Sequence, residues 1–396
     1  MPGPQRSPGP APGGVNQQDP TGFPKFHDTP PPPGPAPAVV RAATPPSEVA
    51  SLPLGGFRPQ VEVGADGTLH AVYYDHRDTG DLLWYRQSRD GRAWSDPEMV
   101  STSTGRNWGP DLVVTADGRV LVAWDRADEH FYGQGWLRER GDEGWGEAVA
   151  LTAGGNVELS SGHIAAVGHD LVYVYIEKPM SPQHRFVAKW RWRRDGTWSE
   201  PVAFSDGKLD AWHSNVSARP DGSVLATYDV GQGGGATTLY VVEGKDRKFG
   251  GPQALAGVQG ERLHFAHTAE GDWLTWFLKT ATFPRQVFVT GGKPGAWSPA
   301  AELSQGMGGY HYDPFAVTLP GGDPVVVWAY DGGTVSSLAY SVRRDGAWTA
   351  PRMLEPVGPG KAELPSVSVG PDGRVHAVWA QGVAGKTTTW HAELAP

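Results

Sequence analysis

Four histidines recur at one place in a repeated sequence pattern. His163, His213, His264 and His311 each stand near the start of an alternating apolar run, about 50 residues from the next. A neutral imidazole can act as a general base near neutral pH, and several imidazoles together can bind a transition metal. The spacing therefore predicts one polar site to which several repeats each contribute a histidine.

The segment "GMGGYHYDPF", residues 306–315, carries the densest group of such side chains. Because strand side chains alternate, Tyr310 and Tyr312 should point to one side, with His311 and Asp313 pointing to the other. We therefore expect only one of these pairs to face the site, unless the backbone bulges.

One interpretation is chemistry on an acidic sugar, by a glycan lyase or a glycoside hydrolase. Such an enzyme needs a base and a proton donor for the leaving oxygen. His213 or His264 is the expected base, and Tyr310 or Tyr312 the expected acid. The candidate catalytic residues are His213, His264, His311, Tyr310, Tyr312 and Asp313.

An acidic sugar also needs a cation for its carboxylate, and arginine binds carboxylates in a bidentate manner. Arg58 and Arg262 are the expected carboxylate ligands, while Trp108 and Trp212 could stack on sugar rings. The candidate substrate-binding residues are Arg58, Asp81, Trp108, Asp111, Trp212, Asn215 and Arg262.

The same histidines permit a second interpretation, a metal-dependent enzyme acting on a small molecule. Asp313 or Glu158 could supply an oxygen ligand or orient an imidazole. The candidate metals are Zn, Mn, Fe and Ca. The candidate ligands are His163, His213, His264 and His311.

These residues are positioned by a repeat that occurs seven times. Each copy has a turn followed by an alternating apolar run, a strong hairpin signal where the turn is Asp-Gly. The copies occupy residues 65–75, 116–126, 168–177, 220–230, 269–279, 320–330 and 371–381.

Each copy continues into another strand, a turn of the type "DG-x-x-W" and a short final strand, as in "SRDGRAWSDPEMV" at 88–100. Four antiparallel strands, A to D, at a period near 50 residues predict a β-propeller blade. We therefore expect an all-β fold, a seven-bladed propeller over residues 47–396. The turn tryptophans should pack between blades.

The seventh copy ends at "TTTWHAELAP" without a strand D. Residues 45–56 resemble the D strand of the first copy, so we expect this N-terminal segment to supply the missing strand and close the ring. The connections between strands D and A, and between B and C, should then form the face that carries the site, because there the copies differ.

The chain resembles the sialidase-type propellers with Asp-box repeats. "SRDGRAW" (88–94) and "RRDGAW" (343–348) are similar to that box, although one residue shorter between Asp and Trp. "GGFRPQV" (55–61) is similar to the family's Phe-Arg-Ile-Pro motif, and "YDHRDTGD" (74–81) to the stretch that carries its catalytic acid. The resemblance implies that Arg58 binds a substrate carboxylate.

The resemblance also implies that Asp78 or Asp81 is the catalytic acid, and that Arg262 with Glu261 is the contribution of a later blade to the same site.

A third interpretation is a propeller without catalysis that binds sugars or proteins in the manner of a lectin. Propeller lectins tend to repeat their binding residues in every blade, whereas the unusual residues of this chain occur in only a few copies. This asymmetry favours one central site and a small-molecule or glycan substrate.

Composition restricts the partners. The 396 residues carry a net charge of -9, which argues against nucleic-acid binding. Without cysteine, disulfides and thiolate metal sites are excluded, and no apolar run is long enough to span a membrane. Residues 1–46, rich in Pro and Gly, are expected to form a disordered tail that could contact another protein. We expect a monomer, cytoplasmic because the N-terminus lacks a secretory signal.

Overall fold

The computed structural model describes most of the chain after the first 33 residues. Every regular element in it is a β-strand. In this part of the chain there is no helix that could cross a membrane. The described residues are 34–52, 55–77, 80–102, 105–128, 132–181, 184–231, 237–278, 286–383 and 386–396.

Seven antiparallel sheets form the molecule, and each is one blade of a β-propeller. Strand A of each blade contacts strand A of the next, and blade 7 contacts blade 1, so the ring is closed. The predicted seven-bladed all-β fold is confirmed. The A strands, in order of blades, are Gly55–Val63, Arg106–Val114, Val157–Val167, Asp210–Ala218, Glu261–His267, Tyr310–Thr318 and Ala362–Val369.

Strand B lies between strands A and C in every blade, and its two faces pack on neighbouring blades. It is therefore the most apolar strand, and in blade 6 all its residues, Pro324–Asp331, are buried. The B strands are Leu69–Arg77, Val120–Ala127, Asp170–Pro179, Val224–Gly231, Asp272–Leu278, Pro324–Asp331 and Val375–Val383. The C strands are Gly80–Ser88, Gly133–Gly141, Val187–Arg194, Thr238–Lys245, Gln286–Lys293, Ser336–Arg344 and Lys386–Leu394.

The outermost strands, D, are short. In blades 2 to 6 the chain also makes a two-residue strand just after strand C. The D strands are Glu98–Met99, Val149–Ala150, Val202–Ala203, Gln253–Gln259, Ala301–Glu302, Arg352–Leu354 and, for blade 7, Ser47–Leu52. The additional strands are Gly144–Trp145, Thr197–Trp198, Lys248–Phe249, Ala296–Trp297 and Ala347–Trp348.

Aromatic side chains of the C–D turns pack between blades, as predicted. Trp145 of blade 2 meets Tyr85 of blade 1 edge to face, with ring centroids 5.4 Å apart. Trp348 of blade 6 meets Trp273 of blade 5 in the same way at 5.6 Å. These contacts join neighbouring sheets near the face opposite the predicted site.

The N-terminal segment closes the ring. Ser47–Leu52 pairs antiparallel with Lys386–Leu394 and so completes blade 7, as the sequence predicts. Ala38–Val40, which the sequence analysis assigns to the tail, forms a further strand that pairs in parallel with Arg352–Leu354 of blade 6. Strand pairing therefore begins before residue 46, and residues 1–33 of the predicted tail lie outside the described residues.

Each A strand contains a β-bulge, at which its pairing register with strand B shifts. One residue of every bulge has a left-handed backbone conformation, with φ between 42° at His213 and 57° at Gly109. A bulge inserts an extra residue and redirects a side chain. The seven bulges lie at equivalent positions in the A strands.

Candidate functional site

A cavity of about 690 Å³ lies along the axis of the propeller and is lined by A-strand residues of all seven blades. Its first layer consists of the bulge residues. For an L-residue this left-handed conformation costs about 1–2 kcal/mol, and such strain often occurs at functional sites. The bulge residues, from blade 1 to blade 7, are Arg58, Gly109, Ser161, His213, Arg262, Asp313 and Leu364.

In blade 4 the bulge residue belongs to a His–Asp dyad. The Nδ1 atom of His213 lies 3.0 Å from Oδ1 of Asp229, a fully buried residue of strand B. A carboxylate only accepts, so Nδ1–H donates and Nε2 is left as the acceptor nitrogen of the imidazole. Burial raises the pKa of Asp229, while the neighbouring His213 opposes that shift.

Two guanidinium groups, from blades 1 and 5, share the cavity. Burial lowers the pKa of Arg58, and the charge of Arg262 lowers it further, so the two groups are close enough to repel each other. Arg262 is held by Asp313 of the next blade, with Nη1 to Oδ1 at 3.2 Å. The cavity thus contains two cations that can meet one anionic group.

The carboxyl group of Asp125 lies beneath the ring of bulge residues, between blades 1 and 3. The backbone N–H of Gly162 donates to Oδ2 at 3.4 Å, and the hydroxyl of Tyr173 donates to Oδ1 at 3.5 Å. Burial raises the pKa of Asp125 to about 6, although Gly162, His163 and Arg58 all oppose the shift.

A second layer follows two residues after the bulge. His264 packs on Phe315 with ring centroids 4.2 Å apart and the ring planes tilted by 33°. Nδ2 of Asn215 lies 3.4 Å from Nδ1 of His264. The amide donates, so the imidazole proton is on Nε2. Burial lowers the pKa of His264 to about 3, so this histidine is a neutral hydrogen-bond donor.

His163 lies in the same layer, with Nδ1 3.4 Å from Oδ2 of Asp111. The backbone N–H of Ile164 donates to the same oxygen at 2.7 Å. Deeper in the cavity, burial raises the pKa of Glu62 to about 7, and Ser368 donates to its carboxylate at 2.9 Å.

Many of the predicted site residues lie together in this cavity. They come from six of the seven blades, which shows how the propeller gathers residues that are far apart in sequence. The predicted residues that line the cavity are Arg58, Asp111, His163, His213, Asn215, Arg262, His264 and Asp313.

His311, Tyr310 and Tyr312 do not line the cavity, which corrects their predicted position. All three are buried. Trp328 donates its indole N–H to Nδ1 of His311 at 3.0 Å, and Tyr330 packs on the same imidazole. The bulge after Tyr312 brings Asp313 to the cavity by itself, so neither predicted pair faces the site as a pair.

Three other predicted contacts also lie away from the cavity lining. Trp212 packs on Phe186, with ring centroids 4.5 Å apart, in the apolar layer between blades 3 and 4. Trp108 is half-buried in strand A of blade 2, and Asp81 is buried at the start of strand C of blade 1. Asp78 lies outside the described residues.

The metal interpretation finds no geometric support. Within the described ranges, no group of three or more His, Cys, Asp or Glu side chains is arranged to hold a metal ion. His163, His213 and His264 line one cavity, but each is turned to its own partner, and His311 lies among aromatic rings. The four histidines therefore do not form a metal site in this structure.

Asp125, Asp229 and Glu62 are cavity-side carboxylates that the sequence-based site did not include. Five blades carry an uncharged residue, such as Tyr74 or Phe277, at the position of Asp125 and Asp229 in strand B. A carboxylate at an otherwise uncharged position of a repeat is the signal that could have identified these two residues. Glu62 has no comparable signal.

No protein-family model and no curated protein matches this chain. Among solved structures, it is similar to a protein of unknown function from Dyadobacter fermentans DSM 18053, at 16% identity with a TM-score of 0.54, covering 88% of this chain and 99% of that one. It is also similar to the Hadza microbial sialidase Hz136 (12% identity, TM-score 0.49, 80% and 74% covered). A third is the leech intramolecular trans-sialidase (10%, TM-score 0.47, 91% and 70%).

At these identities the similarity concerns the fold alone. The similarity agrees with the seven-bladed propeller that the sheets themselves show. The reaction and the substrate have to be argued from this chain's own residues.

Proposed function

We propose that the axial cavity binds a carboxylate-bearing sugar and acts on it by acid–base chemistry, with His213 as the base. The observation that supports this most is the shared position of three side chains. Arg58, His213 and Arg262 occupy equivalent bulges in blades 1, 4 and 5 around one cavity.

A carboxylate is the ligand group that this pair of cations fits. Arg58 and Arg262 repel each other across the cavity, and an anion bound by both would relieve that repulsion. Guanidinium–carboxylate pairs are short and charge-assisted, and partial burial strengthens them because it lowers the effective dielectric constant around the charges. A neutral sugar would leave this electrostatic feature unused.

His213 has the arrangement expected of a general base. Its Nδ1–H is fixed by Asp229, which orients the ring and stabilises the imidazolium that forms when Nε2 accepts a proton. His264 is neutral and has its imidazole proton on Nε2, so it is better suited to donating a hydrogen bond to a sugar oxygen.

These residues favour elimination over hydrolysis. Nε2 of His213 would take the proton from the carbon next to the carboxylate, and the electron pair would form a C=C bond as the C–O bond to the leaving sugar breaks. Arg58 and Arg262 would neutralise the charge that develops on the carboxylate. The leaving oxygen would take its proton from water.

The test is turnover of uronate-containing oligosaccharides and sialosides by the wild type and by His213→Asn. Elimination gives an unsaturated uronate with a new ultraviolet absorbance, whereas hydrolysis gives a reducing end without it. We expect His213→Asn to lower kcat by about 10²- to 10⁴-fold. His169→Asn is the matched control, because His169 is exposed in a turn outside the cavity lining.

Absence of turnover by the wild type on every acidic glycan, together with no binding of a free uronate, would refute this proposal. Full activity of His213→Asn would refute the assignment of the base but leave the ligand class standing.

A further inference from the structure

Asp125 and Asp229 occupy equivalent positions of strand B in blades 2 and 4, yet their partners differ. In blade 4 the bulge residue is His213, which pairs with Asp229. In blade 2 the bulge residue is Gly109, which has no side chain to offer Asp125.

The guanidinium of Arg58 lies near the space that a side chain at this position would fill. A Cβ atom built on Gly109 would lie 3.6 Å from Nη1 of Arg58 and 3.7 Å from Oδ2 of Asp125. Both groups therefore border the space above Gly109, and the carboxylates of Asp313 and Asp125 both raise the pKa of Arg58 against the effect of burial. The carboxylate of Asp125 thus lies on the side of Arg58 where a ligand carboxylate would bind.

We propose that binding of a carboxylate ligand in the axial cavity is coupled to the uptake of one proton. Asp125 takes up this proton, because the ligand carboxylate replaces the Asp125 carboxylate as a counter-charge of Arg58. This inference rests on the proposed function only in assuming that the ligand carries a carboxylate.

The surroundings of Asp125 allow it to hold that proton. Arg58 faces it from blade 1, and His163, Tyr173 and the N–H of Gly162 face it from blade 3. Burial raises the pKa of Asp125 to about 6 in spite of these groups. A ligand carboxylate at Arg58 would add a second negative charge nearby and raise this pKa further.

The sign of the pH dependence follows. Above pH 6 the carboxylate of Asp125 is ionised and competes for Arg58, and below pH 6 it is protonated and no longer competes. Carboxylate affinity should therefore increase as the pH falls. If only the protonated form binds, affinity rises on the order of 20-fold between pH 7.5 and pH 5.5.

The experiment is isothermal titration of the full chain with D-glucuronate, whose own carboxylate stays ionised over this range. Neutral D-glucose is the control ligand. Wild type should bind glucuronate more tightly at pH 5.5, and titrations in two buffers of different ionisation enthalpy should show uptake of close to one proton at pH 7.5. Binding of glucose should not depend on pH.

Asp125→Asn should bind glucuronate at pH 7.5 about as tightly as wild type does at pH 5.5, without pH dependence. Asp221→Asn is the matched control, because Asp221 is exposed in a turn outside the cavity lining and accepts from the backbone N–H of Ser223, and it should keep the pH dependence. If Asp125→Asn does not fold, the number of protons that the wild type takes up on binding glucuronate at pH 7.5 tests the proposal instead.

The outcomes separate this inference from the proposed function. Glucuronate binding that is independent of pH, with no proton uptake, would overturn the inference and leave the carboxylate site intact. A pH dependence that persists in Asp125→Asn would also overturn it and point to another cavity carboxyl group, Glu62, whose pKa burial raises to about 7. Absence of glucuronate binding at any pH would overturn both.

Discussion

At the scale of single residues, the cavity is organised by hydrogen bonds that fix which nitrogen of each histidine carries the proton. His213 donates through Nδ1 to Asp229 and keeps Nε2 as an acceptor. His264 accepts at Nδ1 from Asn215, which leaves its Nε2–H as the donor of the ring. Two histidines of adjacent blades thus present opposite hydrogen-bonding character to one ligand, which allows one to act as base and the other to bind an oxygen.

Asp229→Asn tests this at the residue scale. An asparagine amide can donate to Nδ1 of His213, which would put the imidazole proton on Nε2 and remove the base. We expect kcat to fall about 10²- to 10⁴-fold with little change in KM. The pH–rate profile should lose its base limb, which a merely structural defect would not remove. An unchanged profile would show that the dyad does not take part.

At the scale of the elements, the bulge in strand A is the device that builds the site. Seven bulges in equivalent strands bring seven residues to the axis, six of them with a side chain, and only the residue types differ between blades. A regular strand would alternate its side chains between two neighbouring blades. The backbone geometry is therefore common to the repeat, while the chemistry depends on which residue occupies the bulge.

Ser161 and Gly109 test the strain at this position, because they occupy equivalent bulges with φ of 52° and 57°. Ser161→Gly should relieve left-handed strain and stabilise the protein by about 0.5 kcal/mol after the entropic cost of glycine. Gly109→Ala should destabilise the protein by about 1 kcal/mol, because alanine is strained in the left-handed conformation. No steric clash adds to this cost, because the new Cβ would make only ordinary contacts of 3.6 Å and longer.

Thermal denaturation of both variants at one pH measures these changes. Shifts of the same sign, or a stabilising Gly109→Ala, would contradict the strain that we assign to the bulge.

At the scale of the whole molecule, ring closure depends on the N-terminal segment. Strand Ser47–Leu52 pairs with the last strand of the chain and buries Val49 completely. The two ends of the chain thus meet in one blade, which holds blade 7 beside blade 1. Since every blade contributes to the axial cavity, a defect in this closure should affect both stability and binding.

Val49→Asp and Val39→Asp form a matched pair in the two N-terminal strands. Val49 is fully buried, whereas 57% of Val39 is exposed. Val49→Asp buries an unpaired charge and should cost roughly 3 kcal/mol or more, or prevent folding. Val39→Asp should change stability by less than about 0.5 kcal/mol.

The midpoint of thermal unfolding and the yield of soluble protein compare the two variants. Equal effects of both substitutions would mean that the closing strand contributes no more than the peripheral one.

The sequence by itself determined the fold. Seven copies of a turn between alternating apolar runs specify four-stranded blades, because hairpins are local structures set by neighbouring residues. The missing last strand and its N-terminal replacement could be identified for the same reason. The gathering of several A-strand residues around one axial cavity also followed, since the copies of the repeat differ near the start of strand A.

Only the tertiary structure decided which side chains enter the cavity. Strand alternation alone predicts that Tyr310 pairs with Tyr312 and His311 with Asp313, but a bulge after Tyr312 separates Asp313 from all three. Likewise, the approach of Arg58 to Asp125 depends on Gly109 in blade 2 and on the arginine in the neighbouring blade 1. Such contacts join residues of different blades, and their geometry comes from the packing of whole sheets, which no local pattern of residues encodes.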